Sequence, residues 1–99
     1  MTESVSKPIE IPKENIKNIK FSERDILNTK EEKIKRKINL QRAATLGAQS
    51  KTNIKIYFVD IEGIRHRVVA TVWATTENNV SFKGEVMVPI KAIYKVGFF

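Results

Sequence analysis

From Ile64 to Thr75 the chain alternates without a break. Ile64, His66, Val68, Ala70, Val72 and Ala74 fall on one side, and Arg65, Arg67, Val69, Thr71 and Trp73 on the other. A period of two is the mark of a β-strand. At about 3.4 Å per residue this strand reaches roughly 40 Å, too long to lie flat in a domain cut from 99 residues. It has to bend and serve both halves of a small closed sheet.

The flanking residues supply the partners. Ile54, Ile56 and Phe58 alternate with Lys55, Tyr57 and Val59 in a strand near 54–60, followed by the turn Asp60-Ile61-Glu62-Gly63. Glu77-Asn78-Asn79 turns the chain into a strand near 79–83, and Lys83-Gly84-Glu85 turns it again into one near 85–89, where Pro89 ends regular pairing. A one-turn helix over Pro89 to Ile93 leads to a last strand near 94–98, with Tyr94, Val96 and Phe98 in phase. The expected fold is α+β and mainly β: an N-terminal tail and helix, then a five-stranded SH3-like or Sm-like small barrel over 53–99.

Upstream the period changes to 3.6. Thr29 with Glu32 is a capping box, and the helix it opens runs through Ile34 and Ile38 to Leu46, with Gly47 placed to end it. A second box, Ser22 with Asp25, predicts a short helix before it, so 21–47 reads as a helical segment. Leu40, Ala43, Ala44 and Gly47 share a face whose small side chains suit close packing on a sheet. Ile34 and Ile38 are left for the N-terminal segment or a partner. Residues 1–20 carry Pro8, Pro12 and isolated Ile9, Ile11, Ile16 and Ile19, too little apolar content to offset the entropy of ordering; a disordered tail is expected.

The chain has no cysteine, which excludes disulfides and thiolate metal sites. Met1 to Pro12 holds no apolar leader core, and no run of 18 apolar residues occurs. The expectation is a cytoplasmic protein without membrane attachment. The only histidine, His66, lies between Ile64 and Val68 with no nucleophile or ligand set around it, and Asp60 and Glu62 read as turn carboxylates. No enzyme activity, cofactor or metal is expected.

The net charge of +7 points to a polyanionic partner. Lysine outnumbers arginine 13 to 5 beside 13 isoleucines and 7 asparagines, a bias that A- and T-rich coding sequence also produces. The candidate nucleic-acid-binding residues are Lys33, Lys35, Arg36 and Lys37 on the helix, and Arg65, Arg67 and Trp73 on the outward side of the long strand. Lysines and arginines hold phosphates while Tyr57 or Trp73 stacks a base. Trp73 needs cover on that face, from the helix through Leu40, Ala43 and Ala44 or from a ligand.

Ile54 to Asp60, the following Gly63, and Val88-Pro89-Ile90-Lys91-Ala92-Ile93-Tyr94-Lys95-Val96 resemble the Sm-like (Hfq-like) family of small RNA-binding barrels, and the helix before the first strand agrees in order. The whole chain resembles short bacterial proteins that pair a basic helix with such a barrel. The resemblance implies the barrel. It does not carry over the ring or the uridine site, because the family's Lys-His pair would fall on Ile90 and Lys91, and Val68 to Thr71 lacks the family's strand glycine. Two functions are therefore expected in order: weakly specific binding of RNA or another single-stranded nucleic acid, or a protein-interaction adaptor that docks on a larger assembly or on a second copy through strand edges.

Overall fold

The structure, a computed structural model, describes residues 7–99. A short strand β1 (Ile9–Glu10) and a 3-10 turn (Lys13–Asn18) precede helix α1 (Lys30–Ser50). Strands β2 (Asn53–Val59), β3 (Arg65–Thr75), β4 (Asn79–Phe82) and β5 (Val86–Pro89) follow, and a second 3-10 turn (Ile90–Ala92) leads into β6 (Ile93–Gly97). The five strands β2 to β6 lie within a residue or two of the segments read from alternation.

The antiparallel order is β5-β4-β3-β2-β6, with β1 added in parallel to β3. β3 works as the long strand must. Its first part, Arg65 to Thr71, pairs with β2, and its last part, Val72 to Thr75, pairs with β4 across a bulge between Val72 and Ala74. The expected closed five-stranded barrel is corrected in two respects. Among the described residues the sheet has six strands, and it is not closed, because β6 pairs with β2 and no ladder joins it to β5.

The expected disordered tail is corrected for residues 7–20; residues 1–6 lie outside those described. Ile11 N–H donates to Arg67 O (3.0 Å), extending the β1–β3 contact. The 3-10 turn lies against β5 and β3 and places Ile16, 1% exposed, inside the core. Isolated isoleucines suffice here because this segment builds no core of its own and packs into that of the sheet. The strap continues with Ile61 N–H on Lys20 O (2.8 Å), Phe21 tilted on Phe58 at 5.7 Å, and Ile26 N–H on Lys91 O (3.0 Å).

The short helix expected after Ser22 is absent. Ser22 Oγ accepts from Arg24 N–H and Asp25 Oδ1 from Leu27 N–H, so both caps close local turns. Helix α1 starts as expected, with Thr29 Oγ1 accepting from Glu32 N–H at 3.1 Å. It does not stop at Gly47 but runs a turn further, to a left-handed Lys51. Gly47 is a packing residue: a Cβ there would overlap the Val72 carbonyl of β3. Leu40, Ala43 and Gly47 are buried as that face predicts, while Ile34 and Ile38 stay 49% and 58% exposed.

The core is formed by Ile54, Ile56 and Phe58 of β2, Val68, Ala70 and Val72 of β3, Val80 and Phe82 of β4, Val86 and Val88 of β5 and Ile93 of β6, closed by Leu40 and Ile16. Ile16→Ala should therefore cost about 2–5 kcal/mol, read as a lowered urea midpoint. A midpoint equal to wild type would return residues 7–20 to the status of a tail.

Candidate nucleic-acid interface

The outward positions of β2 and β3 face each other in register: Lys55 opposite Val69, Tyr57 opposite Arg67, Val59 opposite Arg65. β6 brings Lys95 opposite Tyr57 on the other side. Ile93 faces Phe58 and Val96 faces Ile56, both pointing at the core, so the two residues between them, Tyr94 and Lys95, share the step. This bulge turns Tyr94 toward the outer face, as bulges re-aim side chains elsewhere. Its ring lies 5.9 Å from Tyr57, tilted by 57°. Arg65 sits over Tyr94 and Lys95 over Tyr57, each 5.2 Å from the ring centre.

Two rings and four cations (Lys55, Arg65, Arg67 and Lys95) thus occupy one sheet surface. Burial pushes the Tyr94 hydroxyl up from its usual range against the opposing pull of Arg65, so it stays neutral at physiological pH. Glu10 of β1 brings a carboxylate to this surface, paired with Arg67, and Glu32 of α1 lies at its rim beside Tyr94 and Lys95.

The other sequence-derived residues separate into groups. Lys35 borders Tyr94 and Lys95 at the rim of the sheet. Lys33 and Lys37 line a different groove, of about 550 Å³, with Gln41, Thr75 and Glu77. Arg36 leaves the surface and serves the fold. Its side chain is 7% exposed, and its two terminal nitrogens donate to Asp25 Oδ1 (2.9 Å) and Oδ2 (2.6 Å) and to Ile93 O (3.0 Å). Burial raises the Asp25 pKa, but the bonds from Arg36 and from Leu27 N–H outweigh it, and the carboxyl ends below its ordinary value.

Trp73 is 58% exposed and uncovered by the helix, whose contact with β3 is made through Gly47 instead. At about 3.3 Å per residue it stands on the order of 25 Å along the strand from Arg65. Tyr94, Lys95 and Lys55 were missed as site residues; the outward phase of β2 marks Lys55 beside Tyr57, while the bulge that turns Tyr94 leaves no mark in the alternation.

His66 and the Asp60 turn form a structural latch. Asp60 accepts from Glu62 N–H (2.9 Å) and Ile64 N–H (3.0 Å), its Oδ2 lies 2.9 Å from His66 Nε2, and the His66 ring stacks on Phe58 at 5.3 Å. Gly63 supplies the left-handed backbone of that turn, φ 84°. Among the described residues there is no cluster of three or more metal-ligating side chains, and no helix long and apolar enough to cross a membrane. No family model, curated protein or solved structure matches this chain.

Two stabilities follow from these placements. Arg36→Met strands Asp25 and should cost on the order of 3 kcal/mol. Trp73→Ala should stay within about 0.5 kcal/mol of wild type. Because the folded Asp25 pKa is depressed, its contribution is present above the unfolded carboxyl value and is lost as pH falls through the folded one. The stabilities of wild type and the Arg36 variant should begin to approach each other below about pH 4 and meet only below the folded Asp25 value. A Trp73 variant that melts early, or an Arg36 variant that does not, contradicts the assignment.

Proposed function

We propose that the protein is a small binding module, not an enzyme, that holds single-stranded nucleic acid, RNA foremost, on the outer face of β2, β3 and β6. The observation that carries this reading is the Tyr57–Tyr94 pair flanked by Arg65 and Lys95. Stacked bases find π-faces on the rings, and the cations lie where the sugar-phosphate chain must pass. No pattern of paired donors and acceptors on this face selects a base, so the binding is weakly specific, and a cytoplasmic setting accords with such a ligand. The fold reads as an opened small barrel of the SH3-like or Sm-like kind. The order β5-β4-β3-β2-β6, the long shared strand and the single 3-10 turn before the last strand support this.

One observation favours a second reading. Ile34 and Ile38, exposed on one side of α1, and Met87, 55% exposed on β5, suit an adaptor that docks on a protein. The two readings differ in salt dependence. Three or four phosphate contacts give a log–log slope of about −2 to −3, or roughly a 20- to 50-fold loss of affinity between 50 and 200 mM salt. Arg65→Glu with Lys95→Glu should flatten that slope by about 1.4. No binding of an oligonucleotide at low salt transfers the lead to the adaptor, and binding unmoved by the double change places the contact off this face.

A further inference from the structure

Trp73 stands over a hollow that lies well away from the tyrosine pair along β3. Gly47 and Ala48 of the last helical turn, Lys51, Thr71, Trp73 and Lys83 line it, enclosing about 350 Å³. Each boundary has a cause. The helix and β3 meet so closely at Gly47 that the floor is main chain and a methyl group, with no large side chain to fill it. Trp73 holds the outward phase of β3, and the bulge between Val72 and Ala74 turns Ala74 outward beside it, so the ring stays largely in solvent. Lys51 caps the helix in the left-handed conformation, φ 51°, with its carbonyl accepting from Thr71 Oγ1 at 3.3 Å, which fixes where its ammonium starts from. Lys83 arrives from the β4–β5 turn on the opposite side.

An aromatic wall, a floor without bulky groups, two ammonium rims and no acidic lining residue suit a flat ring that carries negative charge beside it. The volume is at the small end of ligand pockets, about 300–1,000 Å³, which fits one nucleotide. We propose that this hollow is a second nucleotide subsite: one base of the bound strand stacks on Trp73 while an adjoining phosphate lies between Lys51 and Lys83. It rests on the nucleic-acid reading and extends it. The strand would be held at two aromatic points along β3, the Tyr57–Tyr94 pair and Trp73.

Trp73 is the only tryptophan in the chain, so its emission reports on this hollow alone. A labelled oligothymidylate titrated into the full protein gives two signals: its anisotropy reads total binding, and Trp73 emission reads the hollow. The expected result is quenching that saturates together with anisotropy, weakened binding on Lys51→Glu with Lys83→Glu, and a loss of roughly 5- to 150-fold on Trp73→Ala. All three side chains are exposed, and circular dichroism melting verifies that the variants fold. Rising anisotropy without quenching, or full affinity in the lysine variant, overturns the subsite and leaves the tyrosine face standing. Absence of any anisotropy change at low salt overturns both. A blue shift of Trp73 emission with protein concentration alone assigns the hollow to a second copy and also overturns the subsite.

Discussion

The approach of helix α1 to β3 at Gly47 decides what the rest of the molecule can do. Only a hydrogen fits between the helix and the Val72 carbonyl. The helix therefore closes the core with Leu40 and Ala43 at its small-residue face and meets the outward side of the sheet at its borders, with Gly47 beside Thr71 and Lys35 beside Tyr94 and Lys95. The tryptophan is left in solvent, and so are the lysines that the helix carries on its far sides.

The second constraint is the strap of residues 7–28. β1 covers part of the open edge of β3, the 3-10 turn inserts Ile16, and Asp25 meets Arg36. A guanidinium at this depth is costly unless both its charge and its donors are met. Asp25 supplies the charge and the Ile93 carbonyl a further acceptor for the two terminal nitrogens, Nε alone of this guanidinium staying unpaired, so one side chain ties strap, helix and last strand together. The same strap brings Glu10 to Arg67, placing a carboxylate where the proposed ligand would bring a phosphate.

The strands were legible because hydrophobic alternation is a local signal that burial on one face enforces. The helix start at Thr29 was legible for a similar reason, since the cap and its partner are neighbours in sequence. What escaped was non-local. Ile16 has no stripe of its own and becomes a core residue only through a groove built by residues far along the chain. Arg36 looks like one of several basic helix residues until Asp25 is seen to face it. The two bulges shift the alternation by one residue, so Tyr94 with Lys95 and Trp73 with Ala74 emerge where strict period two would bury one of each pair. Gly47 was legible as part of the small-residue face that packs on the sheet, but it also read as a stop signal, and the helix runs through it.

A basic charge spread evenly over a surface means little for recognition; the proposed ligand rests on the rings that interrupt it. Arg65 and Lys95 lie over the half-buried rings of Tyr94 and Tyr57, on strands rather than on a loop. The most direct measurement is amide NMR of the labelled protein during titration with a short single-stranded RNA. The account predicts shifts concentrated on Lys55, Tyr57, Arg65, Arg67, Tyr94 and Lys95, with Arg36 and the Asp60 turn quiet. Shifts confined to the Lys33 and Lys37 side of the helix, or to Ile34 and Ile38, would contradict it.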